Sequence, residues 1–236
     1  MKVAALCLAA VTLSAQSFDV ASVKPNRNGA PPRTYPRLHN GSFTADNASL
    51  KTLLVIAYDL VEQRIFGPEW LDTEKYDITA KAPAGIADDQ VMPLLQALLK
   101  DRFRMQSHFE TREMAAYDML LAKSGAKLTP FDPAHPPGQP RFAGGSMLVG
   151  VGTGAQIADA LARAAGRPVI DKTSLEGRFA WSVSYTPFSS DANAAATGPP
   201  DILAAVQEQL GLRLVPKKES LQVLVIDHVE RVPSEN

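Results

Sequence analysis

Glu69, Asp72 and Glu74 cluster around Trp70. Paired carboxylates can do general acid–base work on a glycosidic bond, and an aromatic face beside acids can bind a sugar. The same spacing also describes a packed tryptophan at a turn flanked by solvated acids, and the sequence favours that plainer arrangement. Trp70 and Asp72 are kept as candidate ligand-binding residues. A second candidate pair, Asp171 and Lys172, opens the turn "IDKTSLEGRF". There Asp171 can accept backbone N–H bonds two residues on, and Gly177 permits a positive φ, so the turn is explained without a ligand.

Other chemistries find less support. The histidines, His39, His108, His135 and His228, form no HxH, HxxxH or HExxH pattern, and Cys7 is the single cysteine. No metal site and no cofactor are expected. Nucleophilic catalysis needs a hydroxyl or thiol, a base and an orienting acid. No GxSxG elbow occurs, and Asp227 and His228 are strand neighbours whose side chains point to opposite faces. "GGSMLVGVGTG" is glycine-rich and precedes a helix, but it lacks both the GK[ST] ending and the GxGxxG spacing of phosphate loops. Lys217-Lys218 reads as charge at a hairpin tip. No catalytic residue is assigned.

The N-terminus bears on compartment. "MKVAALCLAAVTLSAQS" joins one lysine to an apolar run of about a dozen residues, too short to span a bilayer, and then to small residues. It predicts a signal peptide over residues 1–17 and a location outside the cytoplasm, periplasmic or secreted. Cys7 would leave with it, removing disulfides and thiolate chemistry. A net charge of −1 and a pI near 6.4 give no footprint for nucleic acid, and no later apolar run is long enough for a membrane span.

The 236 residues must position these groups. "FDVASVKP" and "GSFTADN" read as short strands. "NASLKTLLVIAYDL" reads as a helix capped by Asn47 or Ser49, with Leu50, Leu53, Leu54 and Ala57 on one face. "QRIFGPEWL" carries a strand broken at Gly67-Pro68, and "EKYDITAKAP" alternates Tyr76, Ile78 and Ala80 inward. "DDQVMPLLQALLKDRF" is a helix capped by Asp88 or Asp89, with Pro93 in its first turn and Leu94, Leu95, Leu98 and Leu99 buried. "FRMQSHFETREM" and "AAYDMLLAKSG" then suggest a two-stranded hairpin.

Five prolines between 129 and 142 suggest an extended linker. Beyond it "SMLVGVGT" is a strand, and "GAQIADALARAAG" a helix with Ile157, Ala160, Leu161 and Ala164 on one face. "RPVID" and "RFAWSVSYTP" are strands, "FSSDANAAATG" a low-complexity loop, and "PPDILAAVQEQLG" a helix started by proline and ended by Gly211. "LRLVPKK" and "SLQVLVIDHVERV" complete the chain as strands. Both halves thus read strand–helix–strand–strand–helix–strand–strand. About 109 positions separate the helix exits, Phe103-Arg104-Met105 and Leu212-Arg213-Leu214. The expected fold is α+β: two related halves, 18–128 and 143–236, each a small, mostly antiparallel sheet with two helices, βαββαβ-like.

Several stretches together resemble one family: "FDVASVKPN", "SLKTLLVIAYDL", "GPEWLDTEKYDITAKAP", "LLQALLKDRFRMQSHFETREMAAYDMLLAKSGAKL", "GRPVIDKTSLEGRFAWSVSYTP" and "ILAAVQEQLGLRLVPKKESLQVLVIDHVERVPSEN". It is the soil-associated family of uncharacterised secreted proteins expanded in Acidobacteria. Pro93 and Ser174, the latter where glycine is expected, are departures. The resemblance implies an extracytoplasmic location and brings no catalytic residues. Some relatives look fused to a membrane metallopeptidase of antibiotic-sensor type. The sequence therefore points to a non-catalytic binding module with a protein or glycan partner outside the cytoplasm. The alternatives are a secreted hydrolase of cell-wall or polysaccharide material and a sensor partner of a membrane regulator. N-terminal sequencing of exported protein should find a start between Gln16 and Phe18; exported material still beginning at Met1 would contradict the signal.

Overall fold

A computed structural model describes residues 17–27, 37–87, 90–134, 146–186 and 201–234. The signal segment up to residue 16, Asp88, Asp89, residues 135–142 of the expected linker and the 189–198 loop lie outside the described residues. By contacts the chain falls into two compact units. One comprises Met1–Tyr58, Glu69–Gln106 and His228–Asn236; the other Asp59–Pro68 and Ser107–Asp227. These bounds differ from the linear division at 129–142, because both halves of the sequence contribute segments to each unit.

The first unit holds a four-stranded sheet of β1 (Val20–Pro25), β2 (Arg37–His39), β3 (Ser42–Ser49) and β5 (Lys75–Lys81), in the order β1-β5-β3-β2 with antiparallel pairs. Asn40 and Gly41, both at positive φ, form the two-residue turn between β2 and β3. Tyr76, Ile78 and Ala80 alternate into the core as their spacing predicts. β3 carries a register shift between Ala45 and Ala48, where Asn47 takes φ 53° and donates its N–H to Asp77 Oδ1 at 2.8 Å. Ser49 is therefore the cap of α1 (Leu50–Tyr58): its Oγ accepts the Thr52 N–H at 3.1 Å. Leu50, Leu53, Leu54 and Ala57 are buried, the expected face.

A short helix, α2 (Trp70–Thr73), leads to β5. α3 (Val91–Arg102) places Pro93 in its first turn, where no intrahelical N–H bond is lost, and buries Leu94, Leu95, Leu98 and Leu99. At its end Phe103 is fully buried and meets the Tyr76 ring edge to face, 4.8 Å between centroids. The C-terminal residues close over this point, with Glu230 N–H on Phe103 O and Ser234 N–H on Arg102 O.

The second unit contains two sheets. β4 (Ile65–Phe66), β6 (Gln106–Leu121), β9 (Val169–Asp171) and β11 (Leu212–His228) form one, in the order β4-β11-β6-β9, with β4 parallel to β11 and β9 parallel to β6. β7 (Thr129–Pro130), β8 (Ser146–Gly152) and β10 (Phe179–Tyr185) form the other, β7-β10-β8, antiparallel. The core gathers Ile157, Leu161, Trp181, Val183, Val206, Leu210 and Leu212 between α4 (Gly154–Ala165), α5 (Ile202–Ala205) and the strands.

Four expectations change. β6 and β11 are each one continuous strand, where a hairpin and two strands were expected. Between Met114 and Ala115 there is no glycine, proline, asparagine or aspartate to make a turn. Pro216 sits inside β11 where β4, which pairs only at Leu224 and Val225, does not reach, so its missing N–H breaks no β4 bond. Lys217 and Lys218 accordingly lie within a strand and not at a hairpin tip. The buried face of α4 is Ile157, Ala158, Leu161, Ala162 and Ala165, with Ala160 and Ala164 only partly covered, because a helix packed on two sides buries a wider stripe than one periodicity marks. The last helix is capped by Asp201, whose Oδ1 accepts the Leu203 and Ala204 N–H groups, and it widens to a π turn over Val206–Leu210.

Gly211 ends that turn at φ 63°. Residues 122–127 fold around it, with Ala122 N–H on Gly211 O and Lys127 N–H on Leu210 O. A Cβ at Gly211 would lie 2.0 Å from Gly125 O, whereas one at Gly166, also left-handed at φ 65°, would meet nothing within 4 Å. Gly166→Ala should thus destabilise by about 1–2 kcal/mol, the conformational cost alone, and Gly211→Ala by clearly more. Equal losses by denaturant unfolding would contradict the close approach.

Candidate functional site

The structure places the four sequence candidates in two locations, one in each unit. Trp70 opens α2 and is half-buried, with the Arg231 guanidinium 5.6 Å from its ring centroid. Asp72 is exposed and its Oδ2 accepts Lys51 Nζ at 3.0 Å, while Lys75 Nζ bonds the Asp72 carbonyl. Glu69 and Glu74 are exposed. The Tyr76 hydroxyl donates to Arg231 O at 2.7 Å, and its pKa is pushed up to about 12, by burial first and by the Glu74 charge second. Trp70 and Asp72 therefore anchor the C-terminal residues and α1 to α2. The Asp72 carboxylate is committed to a lysine and not paired with a second acid.

Asp171 ends β9. Its Oδ1 accepts Thr173 N–H at 2.9 Å and Thr173 Oγ1–H at 2.6 Å, the expected turn two residues on. Its Oδ2 lies where a Cβ on Gly154 would fall, 2.1 Å away. The carboxylate thus packs on the first turn of α4, where a negative charge is favoured. Gly154 leaves room for it, which gives the last glycine of "GVGTG" a structural reason. Thr153 and Gln156 complete a capping box at the same helix end. Lys172 is exposed and its backbone N–H bonds Met119 O. Ser174 stands at φ 56°, a conformation glycine would adopt without strain.

A cluster that the sequence did not reveal lies on the β6–β11 ribbon. His108, Glu110 and Arg112, at i, i+2 and i+4, share one face of β6. His108 Nδ1 meets Asp227 Oδ2 at 2.8 Å and its Nε2 faces Glu110 Oε2 at 3.7 Å. Arg112 Nε donates to Glu110 and its guanidinium stacks 4.4 Å over Phe66. Asp227 is 119 positions from His108, so only the strand pairing brings them together. The i, i+2, i+4 signal was present but is readable only once β6 is one strand.

The Asp227 hydrogen bond, with smaller help from Glu110, raises the His108 pKa; the Arg112 hydrogen bond lowers that of Glu110. Both ring nitrogens face carboxylates, an arrangement that favours the protonated ring over the neutral one. Among the described residues no group of three or more His, Cys, Asp or Glu could hold a metal ion.

A histidine raised in the folded state contributes stability that is full below its unfolded pKa and lost as pH rises through the folded one. Glu110, lowered, contributes above its unfolded pKa and loses it as pH falls through the folded one. The cluster is intact between the two. Ring NMR should show His108 titrating above an ordinary histidine. Asp227→Asn should lower that midpoint, and by more than Glu110→Gln does. A midpoint indifferent to Asp227→Asn would contradict the pairing.

No helix among the described residues is long and apolar enough to cross a membrane. No curated protein and no solved structure matches the chain. Residues 51–229, which run from α1 to the end of β11, match one family, and the chain belongs to it: the proteins of unknown function designated DUF3738.

Proposed function

We propose that the protein is a non-catalytic binding module acting outside the cytoplasm, built from two related βαββαβ halves. One observation carries the non-catalytic part. The candidate groups are each engaged by a neighbour: both His108 nitrogens face carboxylates, Asp72 meets Lys51, and Asp171 meets Thr173. Catalysis requires such groups to converge on a reacting atom with one left unsatisfied. The apolar run behind Lys2 and the likeness to the secreted soil-bacterial family support the location.

Support for the duplication comes from positions that play the same part twice. Ser49 and Thr153, 104 apart, each cap a helix through a hydroxyl. Leu53 and Ile157, and Ala57 and Leu161, are buried at the same separation. Tyr76 and Trp181, and Ile78 and Val183, are buried 105 apart. Arg104 and Gly211, 107 apart, are the left-handed residues at the two helix exits. Phe103 thereby corresponds to Leu210 and Met105 to Leu212, a register two residues from the one the sequence suggests. The strand registers agree: Tyr117 pairs with Val169, and Leu224, 107 later, with Ile65. Exchanging the halves turns the order β4-β11-β6-β9 into its own reverse.

The reading is tested by presenting purified protein to a glycan array and to secreted and periplasmic fractions, with turnover assays on cell-wall and polysaccharide substrates. Retention of a specific protein or glycan without turnover is expected. Hydrolysis whose rate falls in Asp72→Asn or Asp171→Asn would replace the module with a secreted hydrolase.

A further inference from the structure

The turn between β2 and β3 is the pair Asn40–Gly41, at φ 49° and 70°. Positive φ at both central residues marks a type I′ turn, which asparagine followed by glycine favours. The same pair carries a chemistry of its own. The backbone nitrogen after an asparagine can close a five-membered ring onto the side-chain amide carbon. A side chain on the following residue hinders that approach, and Gly41 has none.

Three features of this turn favour ring closure. Asn40 is exposed at the apex. His39 and Ser42 are the pair that closes the ladder, so the Gly41 N–H between them holds no ladder bond. The ring needs Asn40 ψ rotated so that Gly41 N faces Cγ, at about −120°, the value of a type II′ turn, which keeps a positive φ at its first central residue. Passing from I′ to II′ turns over only the Asn40–Gly41 peptide plane. The Gly41 carbonyl stays on Ala82 N–H, which it accepts at 2.9 Å, and His39 stays opposite Ser42. Finally, Asn40 Nδ2 donates to His39 Nε2 at 3.1 Å. An imidazole nitrogen thus stands beside the nitrogen that must leave.

We propose that Asn40 is a self-modifying site: Gly41 N attacks Asn40 Cγ, and the amide nitrogen leaves as ammonia with a proton delivered by His39. The N–Cγ bond forms and the Cγ–Nδ2 bond breaks. The Gly41 N–H proton passes to water. The Nε2–H of the protonated ring passes to Nδ2, and His39 recovers a proton from solvent. Water then opens the cyclic imide at either carbonyl, giving an aspartate or its β-linked isomer. The aspartate keeps the turn and sets a negative charge beside His39. The β-linked form adds one main-chain atom to a two-residue turn, so His39 can no longer pair with Ser42 and β2 is released from β3.

The purified full chain is aged at neutral pH and digested with trypsin. The peptide Leu38–Lys51 carries both Asn40 and Asn47, and fragmentation tells them apart. Asn40 should become acid, in both linkages, several-fold faster than Asn47, which Ala48 follows. His39 is exposed, so His39→Gln should fold as the parent does. It keeps a hydrogen-bonding side chain but delivers no proton, and it should slow the conversion several-fold. Imidazole in the buffer should speed that variant more than the parent, a rescue that a merely structural role would not give. In the fraction carrying the β-linked form, the His39 and Ser42 amides should lose protection from hydrogen exchange. Asn40 converting no faster than Asn47, or converting at the parent rate in His39→Gln, overturns the proposal.

Discussion

The pairing of β6 with β11 is the constraint on which the rest of the second unit depends. His108 meets Asp227, Glu113 meets Lys218, and Ala122 N–H bonds Gly211 O. Partner numbers fall as strand numbers rise, the mark of an antiparallel ribbon. Among the described residues each strand is supported on its outer side over a short stretch: β11 by β4 at Leu224 and Val225, β6 by β9 at Tyr117 to Met119. Both supporting contacts coincide with the buried stretches of the long strands, where Ala116, Tyr117, Met119, Val223, Leu224 and Ile226 lose their solvent. The rest of the ribbon is stabilised by cross-strand pairs such as Glu113–Lys218, whose exposed geometry contributes little each.

The ribbon's two ends are set by helix exits of different chemistry. Arg104 reaches the left-handed region at φ 45° as a side-chain-bearing residue, at a conformational cost of about 1–2 kcal/mol. Buried Phe103 and Met105 on either side hold it there, together with the Glu230 and Ser234 backbone bonds. At the other exit glycine is required, because the 122–127 turn leaves no room for a Cβ on Gly211. One helix exit is thus enforced by packing and the other by the absence of a side chain.

The helices α1 and α3 and the strand β5 were legible because each buries one face, so periodicity and burial coincide. The Asp171 turn was legible because its bonds are local. β6 and β11 were not, because their solvated stretches carry "HFETRE" and "PKKES", whose charges resemble loop composition when the partner strand is unseen. The His108–Asp227 contact and the Arg231–Trp70 stack join residues far apart in the chain, so no local pattern marks them. Of the candidate residues, Asp171 could have been read as a helix-end partner only with Gly154 beside it.

The central structural idea is that β6 and β11, from opposite halves of the sequence, form one cooperative sheet with β4 and β9. Native-state hydrogen exchange on the purified chain addresses it most directly. The amides of Tyr117, Asp118 and Met119 in β6 and of Leu224 and Val225 in β11 should exchange with one common opening free energy, and denaturant should lower it with one common slope. Exchange of the β6 amides through a smaller opening that leaves the β11 amides protected would contradict the account.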